Sequence, residues 1–309
     1  MRVLITGGAG YLGTELTYRI AERQEVEEIL VYDNLSRRNY NLFIIPGPVS
    51  LDKVRFIRGD VLDSRRLRKV LRDVDVVYHL AARVTTPYSD ESADLYEQVN
   101  HWGTAELVAA VEDSSVSRFI FTSSASVYGF SDEMINANTP THPKTYYASS
   151  KLRAEAQVER LADKMETFIV RCANVYGYSK SMRFDAVINR FLFSANAGEP
   201  ITIYGSGGQI RSFVSVSNAS RCLERLLDTQ RPSSVSNLVD RQLSVLELVD
   251  SIRAIYPHTE TLFVSQHVEP RHLRVDVNGS LGCILGINAD ELGQELHKFS
   301  ANLAIQSAK

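Results

Sequence analysis

The chain has 309 residues, of which 44% are hydrophobic and 23% charged, and its formal net charge is −3. This composition is typical of a globular protein of about two domains, and the charge argues against a generally basic nucleic-acid-binding protein. Three widely spaced cysteines favour neither a disulfide framework nor a metal site, so we expect a reducing cytoplasm. No apolar run approaches the roughly 20 residues of a membrane span, and the first predicted strand begins too early to leave room for a signal peptide.

Short apolar runs rich in β-branched residues alternate with helical segments over the first 175 residues. Nearly continuous runs of this kind are typical of parallel strands buried on both faces. The predicted strands cover residues 3–5, 29–32, 54–57, 74–80, 118–122 and 168–171. The alternation predicts an α/β fold, a Rossmann-type doubly wound parallel sheet, in which residues 1–175 form the first domain.

The rhythm changes after about residue 176. Further strands are predicted at 201–204, 213–216 and 235–239, and helices at 218–228 and 243–256. We expect residues 176–213 and 241–309 to form a smaller substrate-binding lobe, and the segment of about 214–240 to return to the first domain. The two units would therefore be interleaved.

A glycine-rich loop, TGGAGYLG at residues 6–13, follows the first predicted strand and opens a helix. Gly8, Gly10 and Gly13 fit the pattern GxGxxG, and Gly7, Gly10 and Gly13 fit the variant GxxGxxG. Glycines permit the tight turn and let backbone N–H groups approach a pyrophosphate. Asp33 lies twenty positions beyond Gly13, at the end of the second strand, where a carboxylate can bind ribose hydroxyls. The loop therefore predicts dinucleotide binding.

Asp33 also favours NAD over NADP, because its carboxylate would repel a 2′-phosphate. Arg37 and Arg38 follow closely and argue the other way, unless they belong to a solvated loop. Asp60, after the third strand, is either an adenine contact or an ordinary turn residue.

Tyr147 and Lys151 are four residues apart, which places both side chains on one face of a helix. We expect the ammonium to lower the pKa of the phenol, so that Tyr147 can act as a general acid/base. Tyr146 is followed four residues later by Ser150 rather than by a lysine, so it is not a candidate for this role. The third member of the set would be a hydroxyl from the serine cluster that ends the fifth strand, where open α/β sheets bind ligands.

These motifs occur in a fixed order: TGGAGYLG, DNL, GDV, HLAA, SSASVYG, YASSK and RCANVYG. In that order they resemble the extended short-chain dehydrogenase/reductases, and most closely the NAD-dependent nucleotide-sugar epimerase/dehydratase family typified by UDP-galactose 4-epimerase. The resemblance is strong over residues 1 to about 220. It implies that Ser124 is the catalytic hydroxyl, that Tyr147 is the acid/base, and that Lys151 also binds the nicotinamide ribose.

The resemblance also implies which residues line the cofactor. Besides Tyr147 and Lys151, they are Gly7, Gly10, Tyr11, Leu12, Gly13, Asp33, Asn34, Asp60, Val61, Leu80, Ala81, Ala82 and Asn100.

On the substrate side, Ser124 and Ser126 would face the sugar, and Asn174 matches a residue that contacts a nucleotide-sugar pyrophosphate. Arg211 lies in a sequence similar to the family's YGxGxxxRxF motif and would bind a phosphate. A second arginine is expected near the last strand of the smaller lobe. Arg271 is our candidate and Arg274 its rival, because the family's RPGD pattern is absent there.

The leading hypothesis is an NAD-dependent nucleotide-sugar epimerase, which oxidises a sugar to a keto sugar and returns hydride to the opposite face. The alternatives are a nucleotide-sugar reductase or dehydrogenase and an idle NAD-binding protein. The family's 4,6-dehydratases carry an Asp-Glu pair directly after the catalytic hydroxyl, where this chain has Ala125 and Ser126. The resemblance further implies a homodimer paired through the helices predicted at about 93–112 and 147–164.

Overall fold

The computed structural model describes residues 1–44, 49–84, 93–264 and 272–303. The strands are β1 (Arg2–Thr6), β2 (Glu28–Asp33), β3 (Val54–Arg58), β4 (Val76–His79), β5 (Arg118–Ser124), β6 (Ser131–Ile135), β7 (Glu166–Cys172), β8 (Asn174–Tyr176), β9 (Ile201–Tyr204), β10 (Ile210–Ser215), β11 (Ser234–Leu238), β12 (Arg241–Ser244), β13 (Thr261–Val264) and β14 (Leu273–Val275). The α-helices are α1 (Tyr11–Ala21), α2 (Asn41–Ile44), α3 (Ser64–Val70), α4 (Ala93–Tyr96), α5 (Gly103–Glu112), α6 (Tyr146–Glu159), α7 (Val187–Ala197), α8 (Val216–Arg225), α9 (Val245–Arg253), α10 (Leu281–Ile284) and α11 (Leu292–Ala301).

Seven parallel strands form the main sheet in the order β11-β7-β5-β4-β1-β2-β3. From β1 the chain adds β2 and β3 on one side of the sheet. It then crosses to the other side of β1, where it adds β4, β5, β7 and β11 in turn. The strand order therefore reverses between β1 and β4, and a crevice opens there at the carboxyl ends of the strands. The predicted doubly wound parallel sheet is confirmed.

The alternation of side chains along β1 shows why both faces of the sheet are covered. Val3 and Ile5 point into a cluster that includes residues of α1 and α8, whereas Leu4 points into a cluster with residues of α3, α5 and α6. All three side chains are fully buried. A strand that is buried on both faces reads as a continuous apolar run, which is the pattern seen in the sequence.

The smaller lobe packs a third apolar cluster around α7, α9 and α11. Its sheets are β12-β10-β8 and β13-β9. Helix α8 packs against α1, and β11 pairs with β7 at the edge of the main sheet, so the chain after β10 returns to the first domain. The domain boundaries that we drew from the sequence remain a prediction. Within the described ranges, no helix is both long and apolar enough to span a bilayer.

Four helices differ from their predicted bounds, and two of them, α6 and α9, are shorter than the predicted 147–164 and 243–256. The segment predicted as one helix over 93–112 contains a π-helical turn, Glu97–Trp102, between α4 and α5. Helix α8 begins at Val216 rather than at residue 218, because the Ser215 side chain accepts a hydrogen bond from the backbone N–H of Asn218 and caps the helix.

Candidate active site

A cavity of about 950 Å³ lies at the carboxyl ends of the main-sheet strands and extends to the smaller lobe. Most of the residues selected from the sequence line it. On the cofactor side they are Gly7, Gly10, Tyr11, Leu12, Gly13, Asp33, Asn34, Val61, Leu80, Ala81 and Ala82. Around the predicted reaction centre and beyond it they are Ser124, Ser126, Tyr147, Lys151, Asn174 and Arg211.

The glycine loop turns tightly between β1 and α1. Gly7 has a left-handed φ of +72°, and a Cβ atom on Gly13 would lie 2.2 Å from the carbonyl oxygen of Gly7. Side chains at these two positions would push the loop open. Gly10 is the N-cap of α1, so the first N–H groups of the helix have no partner within the helix. This end of the helix therefore suits a pyrophosphate.

Asp33 ends β2 beside the loop. Its Oδ1 accepts a hydrogen bond from the Leu35 N–H at 2.8 Å, and its Oδ2 accepts one from the Ala9 N–H at 3.2 Å. Burial raises the pKa of the carboxyl group, and these two backbone bonds oppose the rise. The hydrogen bonds fix the carboxylate at the cavity wall, in the position where the acidic residue of this fold binds an adenosine ribose.

Two residues predicted to line the cofactor do not line the cavity. Asp60 lies in the turn after β3, where its carboxylate accepts hydrogen bonds from Asn34 Nδ2 at 2.9 Å and from the Leu62 N–H at 3.0 Å. Asn100 is buried, and its amide exchanges two hydrogen bonds with the backbone of Arg83 and donates to Ser150 Oγ at 3.0 Å. Both side chains therefore hydrogen-bond residues of the cavity wall, Asn34 and Arg83, without lining the cavity themselves.

The predicted catalytic residues meet at one point of the cavity. Ser124 ends β5, and Tyr147 lies in the first turn of α6, which the Thr145 side chain caps by accepting from the Ala148 N–H at 3.1 Å. The side chains of Ser124 and Tyr147 are hydrogen-bonded, and Ser126 Oγ donates to Ser124 Oγ at 2.9 Å. The fold thus unites hydroxyl groups from β5, the turn after it and α6.

The pKa that we expected for Tyr147 is wrong in direction. Burial raises the pKa of this phenol above its ordinary value, while the hydrogen bond from Ser124 and the charge of Arg183 oppose the rise. Burial also lowers the pKa of Lys151 to about 8, and the ammonium lies 4.5 Å from the centroid of the Phe121 ring. A dry environment disfavours the charged form of both groups. Residue spacing alone cannot reveal this environment.

A buried ion pair lies next to this reaction centre. Glu155, one turn after Lys151 on α6, accepts hydrogen bonds from Arg171 of β7, with 2.7 Å between Arg171 Nη2 and Glu155 Oε2. Ser123, next to Ser124, also donates to Glu155. The pair therefore ties β5, β7 and α6 together. The sequence did not predict this ion pair. Its only signal was that Glu155 follows Lys151 by four residues and so lies on the same face of α6.

On the substrate side, Asn174 Nδ2 donates to the Ser212 carbonyl at 3.0 Å. The guanidinium of Arg211 lies 5.8 Å from the centroid of the Phe130 ring. Arg271 lies outside the described residues. Its rival Arg274 does not line the cavity, and its Nη1 donates to the Asp132 carbonyl at 3.3 Å.

An unexpected charged cluster lies on the cavity wall. Arg183 Nε donates to Asp185 Oδ1 at 3.0 Å, and Arg37 Nη2 lies 3.9 Å from Asp185 Oδ2. Neither Arg183 nor Asp185 belongs to the ordered motifs of the sequence. Nothing in the sequence signals that Arg37 approaches these two residues, because it is far from them along the chain.

The chain is similar to known proteins over most of its length. The model of the NAD dependent epimerase/dehydratase family matches residues 3–238. The chain is 30% identical over 268 residues to mouse dTDP-D-glucose 4,6-dehydratase, covering 84% of this chain and 74% of the relative. The UDP-glucuronic acid 4-epimerase of Bacillus cereus, solved with UDP-glucuronic acid and NAD, is 25% identical with a TM-score of 0.86, covering 97% of this chain and 98% of the other. MoeE5, solved with the same two ligands, is 27% identical with a TM-score of 0.83, covering 97% and 98%. The chain therefore belongs to the NAD-dependent epimerase/dehydratase family.

Proposed function

We propose that this protein is an NAD-dependent nucleotide-sugar epimerase, with an activity similar to that of UDP-hexose 4-epimerases. The observation that carries the proposal is the arrangement of one cavity. The glycine loop and Asp33 lie at the cofactor end, Tyr147 is hydrogen-bonded to Ser124 at the centre, and Arg211 lies on the wall toward the smaller lobe. The similar structures solved with UDP-glucuronic acid and NAD, one of them a UDP-glucuronic acid 4-epimerase, support the same substrate class.

The residues present fit a bound NAD. The first turn of α1 would hold its pyrophosphate, Asp33 its adenosine ribose, and Lys151 its nicotinamide ribose. When bound, NAD supplies an acceptor that takes hydride from the sugar carbon and gives it back. Asp33 favours NAD, because it would face the 2′-phosphate of NADP.

The remaining chemistry belongs to the side chains. Tyr147 takes the proton from the sugar hydroxyl during oxidation and returns it during reduction. Ser124 donates to the same sugar oxygen as it becomes a carbonyl. Burial raises the pKa of Tyr147, whereas the Ser124 hydrogen bond and the charge of Arg183 favour the phenolate, which is the form that accepts the proton.

Dehydration is the second candidate, and the similarity to mouse dTDP-D-glucose 4,6-dehydratase favours it. Loss of water needs acid/base groups beyond Tyr147. Here Ser124 is followed by Ala125, which carries no proton to donate, and by Ser126. Asp185 is a carboxylate on the cavity wall, and it is paired with Arg183. The absence of a carboxylate directly after Ser124 favours epimerisation.

The test is a panel of nucleoside-diphosphate sugars incubated with the purified protein and followed by NMR and mass spectrometry. We expect inversion at one carbon, an unchanged product mass, and turnover that needs no added reductant. A loss of about 18 Da, one water, would instead assign dehydration. Stoichiometric consumption of reduced cofactor would assign a reductase. NAD binding without conversion of any sugar would assign an idle binding protein.

We also propose a homodimer in the cytoplasm. Trp102 lies on one of the helices that are predicted to pair, and its side chain is 56% exposed. Tryptophan is enriched at protein–protein interfaces, so its position on this helix supports pairing there. The three cysteines are unpaired, which suits a reducing compartment.

A further inference from the structure

One buried carboxamide links the cofactor loop to the substrate wall. Asn189, in the first turn of α7, is fully buried and does not line the cavity. Its Oδ1 accepts a hydrogen bond from the Gly177 N–H at 2.9 Å. Its Nδ2 donates to the Arg183 carbonyl at 2.9 Å and to the Tyr11 hydroxyl oxygen at 3.1 Å. Both protons of the amide nitrogen are therefore used.

These bonds hold two points of the loop 177–185. Gly177 begins the loop after β8 and Arg183 lies near its end, and one side chain bonds the backbone of each. The Tyr11 hydroxyl closes a ring by donating to the Gly177 carbonyl at 2.6 Å. The loop is thus connected at these two points to the residue that opens α1.

The middle of the same loop is held separately. Ser179 Oγ donates to the Tyr11 carbonyl at 3.1 Å, and Thr14 Oγ1 donates to Ser181 Oγ at 2.6 Å. Ser179, Ser181 and Thr14 are fully buried, so water does not replace a lost bond in this layer. The loop is therefore bonded to the first turn of α1 at its middle as well, and Asn189 makes the connection near Arg183.

The two linked residues face different ligands. Tyr11 lies in the loop that would hold the NAD pyrophosphate, and Arg183 is on the wall that would face the nucleotide sugar. We propose that Asn189 is a positioning residue that couples cofactor binding to the order of the substrate-side loop 177–185, so that each ligand strengthens the binding of the other. This inference rests on the proposed function. Coupling of this kind is reciprocal by thermodynamic necessity.

The test compares the wild-type protein with Asn189→Ala. NAD is titrated by calorimetry with and without UDP as a probe for the nucleotide side, and hydrogen exchange of residues 177–185 is followed on addition of NAD. In the wild type we expect UDP to tighten NAD binding about fivefold or more, and NAD to slow exchange in the loop. In Asn189→Ala we expect NAD still to bind, but the ratio of its dissociation constants without and with UDP should fall to about one. NAD should also no longer slow hydrogen exchange in the loop.

A control on the same helix separates positioning from stability. Asn196 is buried on α7, and its Oδ1 accepts from the Tyr256 hydroxyl at 2.9 Å, away from α1. Asn196→Ala should lose a buried hydrogen bond in the same way and keep the wild-type coupling. If Asn189→Ala does not fold, Tyr11→Phe removes the hydroxyl from the ring of bonds and should abolish loop protection by NAD.

The outcomes separate the two proposals. Wild-type protein that binds no NAD, or that binds NAD but no UDP, contradicts the proposed function. Equal loop protection and equal coupling in the wild type and in Asn189→Ala overturn the role of Asn189. Loss of coupling in Asn196→Ala to the same degree also overturns it, because the effect would then be general destabilisation.

Discussion

At the scale of single residues, the site combines groups whose charged forms are disfavoured by burial. Burial raises the pKa of Tyr147 and lowers that of Lys151 to about 8. His79 is also buried, and burial lowers its pKa to about 3, so it is neutral and hydrogen-bonds Thr6 and Thr104. Burial therefore favours the neutral forms of Tyr147 and His79, whereas Lys151 keeps its proton up to a pH of about 8.

The first prediction concerns the proton-transferring group. Tyr147→Phe should retain the fold and NAD binding and lower kcat by about 10² or more, because the hydroxyl that moves the proton is gone. The matched control is the neighbouring Tyr146→Phe, whose side chain is 55% exposed, and its rate should equal that of the wild type. Activity of Tyr147→Phe within a few-fold of wild type would contradict the assignment.

The second prediction concerns pH and stability. The unfolded chain binds the Lys151 proton up to a pKa near 10.5, whereas the folded chain releases it near 8. Between these values the unfolded state holds more protons, so stability rises with pH and the penalty is complete below pH 8. Lys151→Met, in the cofactor-free protein, should therefore be more stable than wild type at pH 7, by up to about 3 kcal/mol.

The measurement is urea unfolding of both proteins from pH 7 to pH 10. The difference in free energy of unfolding should shrink as the pH rises through 8. A difference that is independent of pH would mean that Lys151 is not titrating in this window.

At the scale of elements, the glycine loop decides the shape of the cofactor end. A Cβ atom at Gly13 would meet the carbonyl oxygen of Gly7 and the Cα of Gly8, which are backbone atoms that cannot rotate away. The contact therefore changes the course of the loop between β1 and α1. Because Gly13 packs this closely on Gly7 and Gly8, the first turn of α1 points toward the cavity.

The third prediction follows from this contact. Gly13→Ala should lower the affinity for NAD by about 100-fold or more and destabilise the fold by more than about 1 kcal/mol, because the loop must open. The control is Gly293→Ala in α11, where an added Cβ meets nothing within 4 Å. That variant should melt at the wild-type temperature or slightly higher, because alanine favours helix. Calorimetry with and without NAD measures both effects, and normal NAD binding by Gly13→Ala would refute the argument.

At the scale of the whole molecule, the exposed face of α4, the π-helical turn and α5 bears on assembly. Trp102 is the largest apolar side chain there, and it is more than half exposed. If two copies pair through this face, its burial would stabilise the dimer. Assembly would also hold α6, which packs against the π-helical turn and carries Tyr147.

The fourth prediction tests this assembly. Trp102→Glu should convert a dimer into a monomer in sedimentation experiments, because a carboxylate would be buried at the interface. Phe263→Glu places the same charge at another exposed aromatic position, on β13, and should leave the mass unchanged. A wild-type protein that sediments as a monomer would contradict the proposed dimer.

The sequence by itself determined the features that depend on local pattern. Continuous apolar runs predicted the parallel strands, glycine spacing predicted the turn before α1, and the four-residue offset selected Tyr147 and Lys151. These rules act over a few residues, so they can be read along the chain. The ordered motifs identified the family, and the comparisons confirm that membership, the fold class and the NAD cofactor. The roles of the individual site residues, the domain boundaries and the dimer remain predictions.

Only the tertiary structure decided the features that join distant segments. Asn189 meets Tyr11 across 178 positions, and Arg37 reaches Asp185 from another part of the chain. No periodicity links such residues, because their approach depends on how the smaller lobe packs on α1. The direction of the Tyr147 pKa shift was likewise hidden. The spacing of Tyr147 and Lys151 is visible in the sequence, but the burial that raises the pKa of Tyr147 exists only in the folded chain.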